Sequence, residues 1–329
     1  MKIAIYGLGA IGGLIAARLA QAGHEVSAVA RGATLQALRE HGVRLAGADG
    51  VKAFPIHAEA EPAALGVQDI VVLAVKSPSL ADVAHKIAPL IGPRTLVITA
   101  MNGVPWWFFE VEGKPLQGTR LRSIDPDGVL SRVIPSAQVI GCVVHIASAS
   151  PEPGLIKPGF GNKLILGEPG GGDSARLQGV VEVMRGAGFE IDSAADIRRD
   201  IWYKLWGNMT MNPVSAITGA TSDMILDDPL VKQYCQNAMQ EAARIGEQIG
   251  CPIEQSSEER NAVTRKLGAF KTSMLQDAEA GKALEIDALV CVVREIGLLT
   301  GVATPTIDSL LGLVRLFGRS HGLYPKADC

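Results

Sequence analysis

Residues 2–20 read KIAIYGLGAIGGLIAARLA, and their reading decides the fold. Lys2–Tyr6 is a short apolar, β-prone run that stops at Gly7, and an amphipathic stretch over residues 11–22 follows it. A second run, Glu25–Val29, completes a strand, helix, strand order. Gly7, Gly9 and Gly12 form G-x-G-x-x-G at the strand-to-helix turn, the context in which that spacing carries chemical meaning. Gly7 permits a tight turn, Gly9 lets a pyrophosphate approach the backbone, and Gly12 lets helix and strand pack closely. With Leu8, Ala10 and Ile11 they build a helix N-terminus whose N–H groups and dipole favour phosphates. A glycine-rich turn without a ligand is the weaker reading. A secretory leader also fits poorly, because glycines interrupt the apolar run and Arg18 lies near its end.

Working outward, residues 69–75 (DIVVLAV) and 95–99 (TLVIT) are continuous apolar runs, the pattern of strands buried on both faces of a parallel sheet. Between them Leu80, Val83, Ile87 and Leu90 recur at helical spacing and supply a crossover. Residues 139–146 and 163–166 read as further strands, followed by the turn-rich GEPGGG at 167–172, a helix, and a short strand at 189–192. From about Asp196 the period is near 3.6 with no convincing strand. The expectation is therefore a Rossmann-type, doubly wound parallel α/β domain over residues 1–194 and an all-helical domain over 195–329. Residues 113–135, rich in turn formers and alternating charges, read as an excursion without a legible role.

A length of 329 residues suits two domains, and 47% hydrophobic against 20% charged residues excludes global disorder. The 31 Lys and Arg against 34 Asp and Glu give a net charge of -3 without long single-sign runs. That balance argues against nucleic acid or a membrane surface as partner and for a small molecule. No apolar run approaches the roughly 20 residues of a membrane span. Cys142, Cys235, Cys251, Cys291 and Cys329 show no C-x-x-C spacing, so neither a disulfide framework nor zinc is expected, and a reducing compartment, the cytoplasm, fits. The histidines have no metal spacing or triad companion, and no metal is expected.

The second strand ends VSAVA at residues 26–30 and is followed by Arg31, where a carboxylate would accept from a ribose 2′-hydroxyl. A cation there suits a 2′-phosphate and favours NADPH over NADH; a solvated loop arginine is the alternative. Lys204, Asn208 and Asn212 are spaced i, i+4, i+8, within about 80° of one another on a helix. That helix also carries Trp202, Leu205, Trp206 and Met209, so the polar face needs partners if buried. Asp196 or Ser193 offers a cap, and Pro213 is expected to disrupt the helix over residues 209–212. On spacing alone a solvated helix face remains open. Glu285 opens a helix with Leu289, Val292, Val293, Ile296 and Leu299 inside, ended by Gly301 and Pro305; taken alone, its acid is explained by the helix dipole.

Three segments together resemble the ketopantoate reductase (2-dehydropantoate 2-reductase) family along nearly the whole chain. KIAIYGLGAIGG at 2–13 is similar to its opening, IWYKLWGNMTMNPVSAITG at 201–219 to its K-x-x-x-N-x-x-x-N-P helix, and SMLQDAEAGKALEID at 273–287 to its S-M-x-x-D…G-R…E-I-D signature. The resemblance implies that Lys204 is the general acid, that Asn208, Asn212 and Ser273 hold substrate, and that Glu285 assists binding and catalysis. It also implies that Asn102, paired with Gly103, lies beside nicotinamide and substrate, and that Lys76 lies near the cofactor. Lys282 replaces the arginine of the G-R pair, and the 113–135 excursion with Trp106 and Trp107 is expected to reshape the substrate pocket. The implied reaction is NADPH-dependent reduction of 2-dehydropantoate to pantoate, as in pantothenate biosynthesis. A reductase of another branched 2-oxo acid and a nonenzymatic NADPH-sensing protein are the rival readings, and a homodimer is compatible with either.

Overall fold

The structure, a computed structural model, describes residues 1–325; of the residues considered above, only Cys329 lies outside them. The chain divides into two compact units, Met1–Met101 with Gly128–Asp200, and Asn102–Asp127 with the chain from Ile201 onward. Sequence pattern suggested one cut at 194/195. The structure instead passes the chain to the second unit twice, and the second passage falls inside a helix.

In the first unit, β1 (Lys2–Tyr6), β2 (Glu25–Val29), β3 (Val43–Gly47), β4 (Gly50–Phe54), β5 (His57–Glu59), β6 (Ile70–Leu73), β7 (Leu96–Thr99), β8 (Val139–His145), β9 (Ser148–Glu152), β10 (Leu155–Pro158), β11 (Lys163–Gly167) and β12 (Glu190–Ser193) form two sheets. The larger has the order β12-β11-β8-β7-β6-β1-β2-β5. It is parallel from β5 through β8, and β11, with β12 parallel to it, runs antiparallel to β8. β1 pairs with β2 from Lys2↔Glu25 to Tyr6↔Val29 and with β6 from Ile3↔Ile70 to Tyr6↔Leu73. In this register Gly7, Ala30 and Ala74 leave the sheet together at its carboxyl edge, the edge at which open α/β sheets bind ligands. Ile3, Ile5, Ile70, Val72 and Ile98 are buried, as the continuous apolar runs required.

The smaller sheet, β4-β3-β10-β9, is absent from the sequence reading. Its outer strands β4 and β9 are largely exposed and alternate weakly, and β9 contains Pro151, so neither carries a burial signal. The first unit also holds α1 (Ala10–Gln21), α2 (Gly32–His41), α3 (Leu80–Lys86), α4 (Val129–Val133) and α5 (Ala175–Gly186). Behind the sheet, Glu168 braces β8, β11 and α5: its carboxylate accepts from Ser174 and Arg176, and Arg176 also donates to the Ala137 and Val139 carbonyls.

The second unit is helical: α6 (Ile197–Thr218, entered from the first unit), α7 (Ser222–Asp227), α8 (Pro229–Gln248), α9 (Ser257–Arg265), α10 (Ser273–Glu279), α11 (Val292–Thr300) and α12 (Pro305–Ser320). Asp196 caps α6, accepting from Arg198 N at 3.1 Å. The break expected before Pro213 does not occur; α6 runs through it. Met209, Met211 and Val214 around the proline are buried, and that packing outweighs the missing N–H. The buried Glu241 on α8 accepts from Thr306 N and Ile307 N at 2.9 and 3.0 Å, satisfying the first turn of α12 from outside it.

Candidate functional site

In the first unit the glycine loop fits a dinucleotide. Gly7 has φ +96°, and a Cβ there would lie 2.7 Å from the Val75 side chain and 2.9 Å from Ala74 O. A Cβ on Gly12 would lie 2.0 Å from Gly7 O, so only glycine lets α1 start this close to β1. A Cβ on Gly9 meets nothing within 4 Å, so the space above that residue is open. Gly9 is the N-cap of α1 and brings no side-chain acceptor, and the first turn has no acid. Leu8 precedes that cap, and the N–H groups of Ala10, Ile11 and Gly12 keep the capacity to bind an anion. Lys76, exposed, follows β6 at the same edge.

Arg31 caps α2 in extended conformation with its guanidinium exposed. The sequence reading missed its partner: Asp82, in the first turn of α3, lies 3.0 Å from Arg31 Nη1 and 3.3 Å from Lys86 Nζ. The only local signal was the i, i+4 spacing of Asp82 and Lys86. At the end of β1, the Tyr6 phenol titrates above its ordinary value, first because it is buried and then because of the Asp82 charge; Arg31 opposes the shift and Glu61 adds to it. Arg31, Asp82, Lys86 and Tyr6 thus form one charged corner at the carboxyl edge.

In the second unit Lys204, half-buried on α6, donates from Nζ to Asn102 Oδ1 at 2.8 Å. The Asn102–Gly103 turn is held in turn by the segment after Glu285. Gly103 has φ +85°, a Cβ there would lie 2.3 Å from Ala288 O, and Val104 N donates to that carbonyl at 3.3 Å. Ala288 belongs to a single π-helical turn, Asp287–Cys291, a feature that is frequent at functional sites. Glu285, just before it, is buried, with Leu284 N bonded to Leu323 O and Asp287 accepting from the Tyr324 hydroxyl. Asn208 is half-buried and Asn212 buried on α6, one and two turns past Lys204. Among the described residues no side-chain hydrogen bond engages Asn208, Asn212 or Ser273, which opens α10. Ser222 N and Oγ bond to Phe270 O and Gly268 O, tying the chain after α6 to the approach to Ser273. The structure thus joins Lys204 to Asn102 directly, and joins the Asn102 turn to the segment opened by Glu285.

Two expectations change. Trp106, Trp107, Phe108 and Phe109 form a fully buried helical turn, with Phe108 and Phe109 edge-to-face at 5.1 Å and Phe108 6.4 Å from Trp202, so they are core rather than pocket lining. The early part of the excursion is a strap on the helical unit: Glu295 of α11 accepts from Arg122 N at 2.7 Å, Ser123 N at 2.9 Å and the Ser123 hydroxyl. Among the described residues no helix is long and apolar enough to cross a membrane.

A phosphate-ready glycine loop on an α/β sheet, with a lysine and two asparagines on a helical unit, defines the class of two-unit, dinucleotide-dependent oxidoreductases. The family model for ketopantoate reductase PanE/ApbA matches residues 3–171, and that for its C-terminal part matches residues 196–317. The chain belongs to the ketopantoate reductase family. It is 46% identical to a 2-dehydropantoate 2-reductase from Mesorhizobium japonicum over 98% of this chain and 100% of that one. A solved structure from Ralstonia solanacearum, assigned to the ketopantoate reductases, superposes with TM-score 0.95 at 57% identity over 98% of this chain and 99% of that one. The 2-dehydropantoate 2-reductase of Methylococcus capsulatus superposes at 0.82 with 27% identity, each chain 98% covered.

Proposed function

We propose that this chain reduces 2-dehydropantoate to pantoate with NADPH. The observation that carries the reading is the Lys204 ammonium held by Asn102 Oδ1 at 2.8 Å, on the helix that also presents Asn208 and Asn212, in a chain of this family. When bound, NADPH supplies a hydride to the keto carbon. The carbonyl π pair moves to oxygen, and Lys204 Nζ–H gives the proton that completes the hydroxyl. Asn102 aims the ammonium by accepting one of its protons, and the charged group donates to and stabilises the oxygen that becomes negative on the substrate. Asn208, Asn212 and Ser273 bind the polar groups of the 2-oxo acid, for which their unengaged side chains are suited, and Glu285 orders substrate and lysine for transfer. Gly7, Leu8, Gly9, Ala10, Ile11 and Gly12 cradle the pyrophosphate, Lys76 adds charge beside it, and Arg31 takes the 2′-phosphate. Among the described residues Cys142, Cys235, Cys251 and Cys291 are buried thiols outside any disulfide, which suits a cytoplasmic enzyme.

The test is NADPH oxidation by the purified protein against a panel of branched and unbranched 2-oxo acids. The reading expects 2-dehydropantoate to give the highest kcat/KM by at least about tenfold. Preference for another 2-oxo acid would move the substrate and keep the chemistry. No oxidation with any of them, despite NADPH binding, would favour a sensor.

A further inference from the structure

The Arg31 corner contains a charge that works against its assigned ligand. Arg31 follows the end of β2, Asp82 stands in the first turn of α3, the helix that follows β6, and β1 with its glycine loop lies between those two strands in the sheet. The ion pair therefore crosses the carboxyl edge above Tyr6 and Gly7. The Arg31 Nη1 to Asp82 Oδ2 distance is 3.0 Å, and Oδ2 is shielded from solvent without an aligned hydrogen bond, so the contact is ionic rather than a well-formed charge-assisted hydrogen bond. The other oxygen, Oδ1, faces Lys86 Nζ at 3.3 Å. One carboxylate thus occupies two cations, and Glu61 adds a second negative charge to the surroundings of Tyr6.

We propose that Asp82 is a specificity-determining residue for the dinucleotide: its carboxylate competes with the 2′-phosphate for Arg31 and Lys86, and so holds down the preference for the phosphorylated form. The inference rests on the reading of Arg31 as the 2′-phosphate ligand. A dianionic phosphate draws the guanidinium away from Asp82 and is then left near an uncompensated carboxylate. An unphosphorylated ribose leaves the pair in place and meets neither penalty. Removing the Asp82 charge therefore strengthens NADPH binding selectively, by about three- to tenfold, the size expected of a partly exposed ion pair plus screened repulsion.

The experiment is titration of the full-length protein and its Asp82→Asn variant with NADPH and with NADH, as binary complexes, by calorimetry at two salt concentrations. Asp82→Asn, close in shape, is expected to tighten NADPH about three- to tenfold at low salt, less at high salt, and to move NADH by less than about twofold. Asp82→Ser is expected to act in the same direction. Unchanged or weaker NADPH binding, or equal tightening of both dinucleotides, would overturn the inference. Arg31→Ala separates the two ideas. If it abolishes the wild-type preference for NADPH while Asp82→Asn does nothing, the competition by Asp82 is wrong and Arg31 keeps its role. If it leaves the preference intact, the phosphate lies elsewhere and both ideas fall.

Discussion

Alanine at Gly9 and alanine at Gly12 add the same methyl group three residues apart in one loop, and the structure assigns them opposite consequences. Gly9 sits at φ -77° and ψ -163°, open to any residue, and its added Cβ meets no heavy atom within 4 Å. Gly9→Ala should therefore leave stability within about 0.5 kcal/mol of wild type, a melting shift of no more than about 2 °C. The methyl group nevertheless stands where a pyrophosphate oxygen must approach the backbone N–H groups of α1. Losing one charge-assisted hydrogen bond costs about 1.5–3 kcal/mol, so NADPH affinity should fall roughly ten- to hundredfold. At Gly12 the Cβ would lie 2.0 Å from Gly7 O and 3.1 Å from the Ala74 Cβ, so α1 must move off the sheet. Overpacking of that kind costs about 1–3 kcal/mol or more, and Gly12→Ala should melt several degrees lower as well as bind poorly. Thermal denaturation and NADPH titration by intrinsic fluorescence measure both quantities. Wild-type NADPH affinity in Gly9→Ala would refute the pyrophosphate reading of the loop, and equal destabilisation of the two variants would refute the account of why each glycine is there.

Lys204→Met should lower kcat by about two orders of magnitude or more at saturating substrate, with NADPH affinity within about twofold of wild type, measured by steady-state kinetics and binary titration. Glu241→Ala should lower unfolding free energy by about 2 kcal/mol in urea, because the N–H groups of Thr306 and Ile307 lose a buried carboxylate acceptor. Burial pushes the Glu168 carboxyl upward, but hydrogen bonds from Arg176 and Ser174 and the Arg176 charge outweigh it and hold the group below its ordinary value of 4.5. Its contribution is thus complete above 4.5 and is lost as pH falls through the lower folded value, so the stability gap between wild type and Glu168→Gln should be full at neutral pH and should narrow only once pH falls below 4.5.

What was legible in the sequence was whatever a residue reports about its own element. Ile3, Ile5, Val72 and Ile98 announce strands buried on both faces because their neighbours are apolar too. Gly7, Gly9 and Gly12 announce the βα turn, and Lys204, Asn208 and Asn212 a polar helix face, because fixed spacings define both. The strap over residues 102–127 carried no such report. Its assignment to the helical unit rests on Glu295 accepting the Arg122 and Ser123 N–H groups, a contact spanning 173 and 172 positions that no local spacing encodes. Trp106 to Phe109 showed only that a large apolar cluster follows the Asn102 turn; whether it lines a pocket or fills a core depends on Trp202 and its neighbours, which lie far along the chain.

Gly13 shows the same dependence on distant partners within the glycine loop itself. As the fourth glycine of GLGAIGG it adds nothing to the dinucleotide spacing, and inside α1 it is a helix-weakening residue by about 1 kcal/mol relative to alanine. In the structure its absent side chain makes room for Ile156 of β10: an added Cβ would lie 2.3 Å from Ile156 Cδ1. The second sheet, which the strand patterns failed to reveal, packs onto α1 through this gap, so the glycine that looked redundant records a neighbour 143 positions away in a strand with a weak signal of its own. Gly13 is buried beside Leu14 and Ile15, which belong to the main core cluster, and that packing explains why α1 tolerates the weakness by replacing the propensity it gives up.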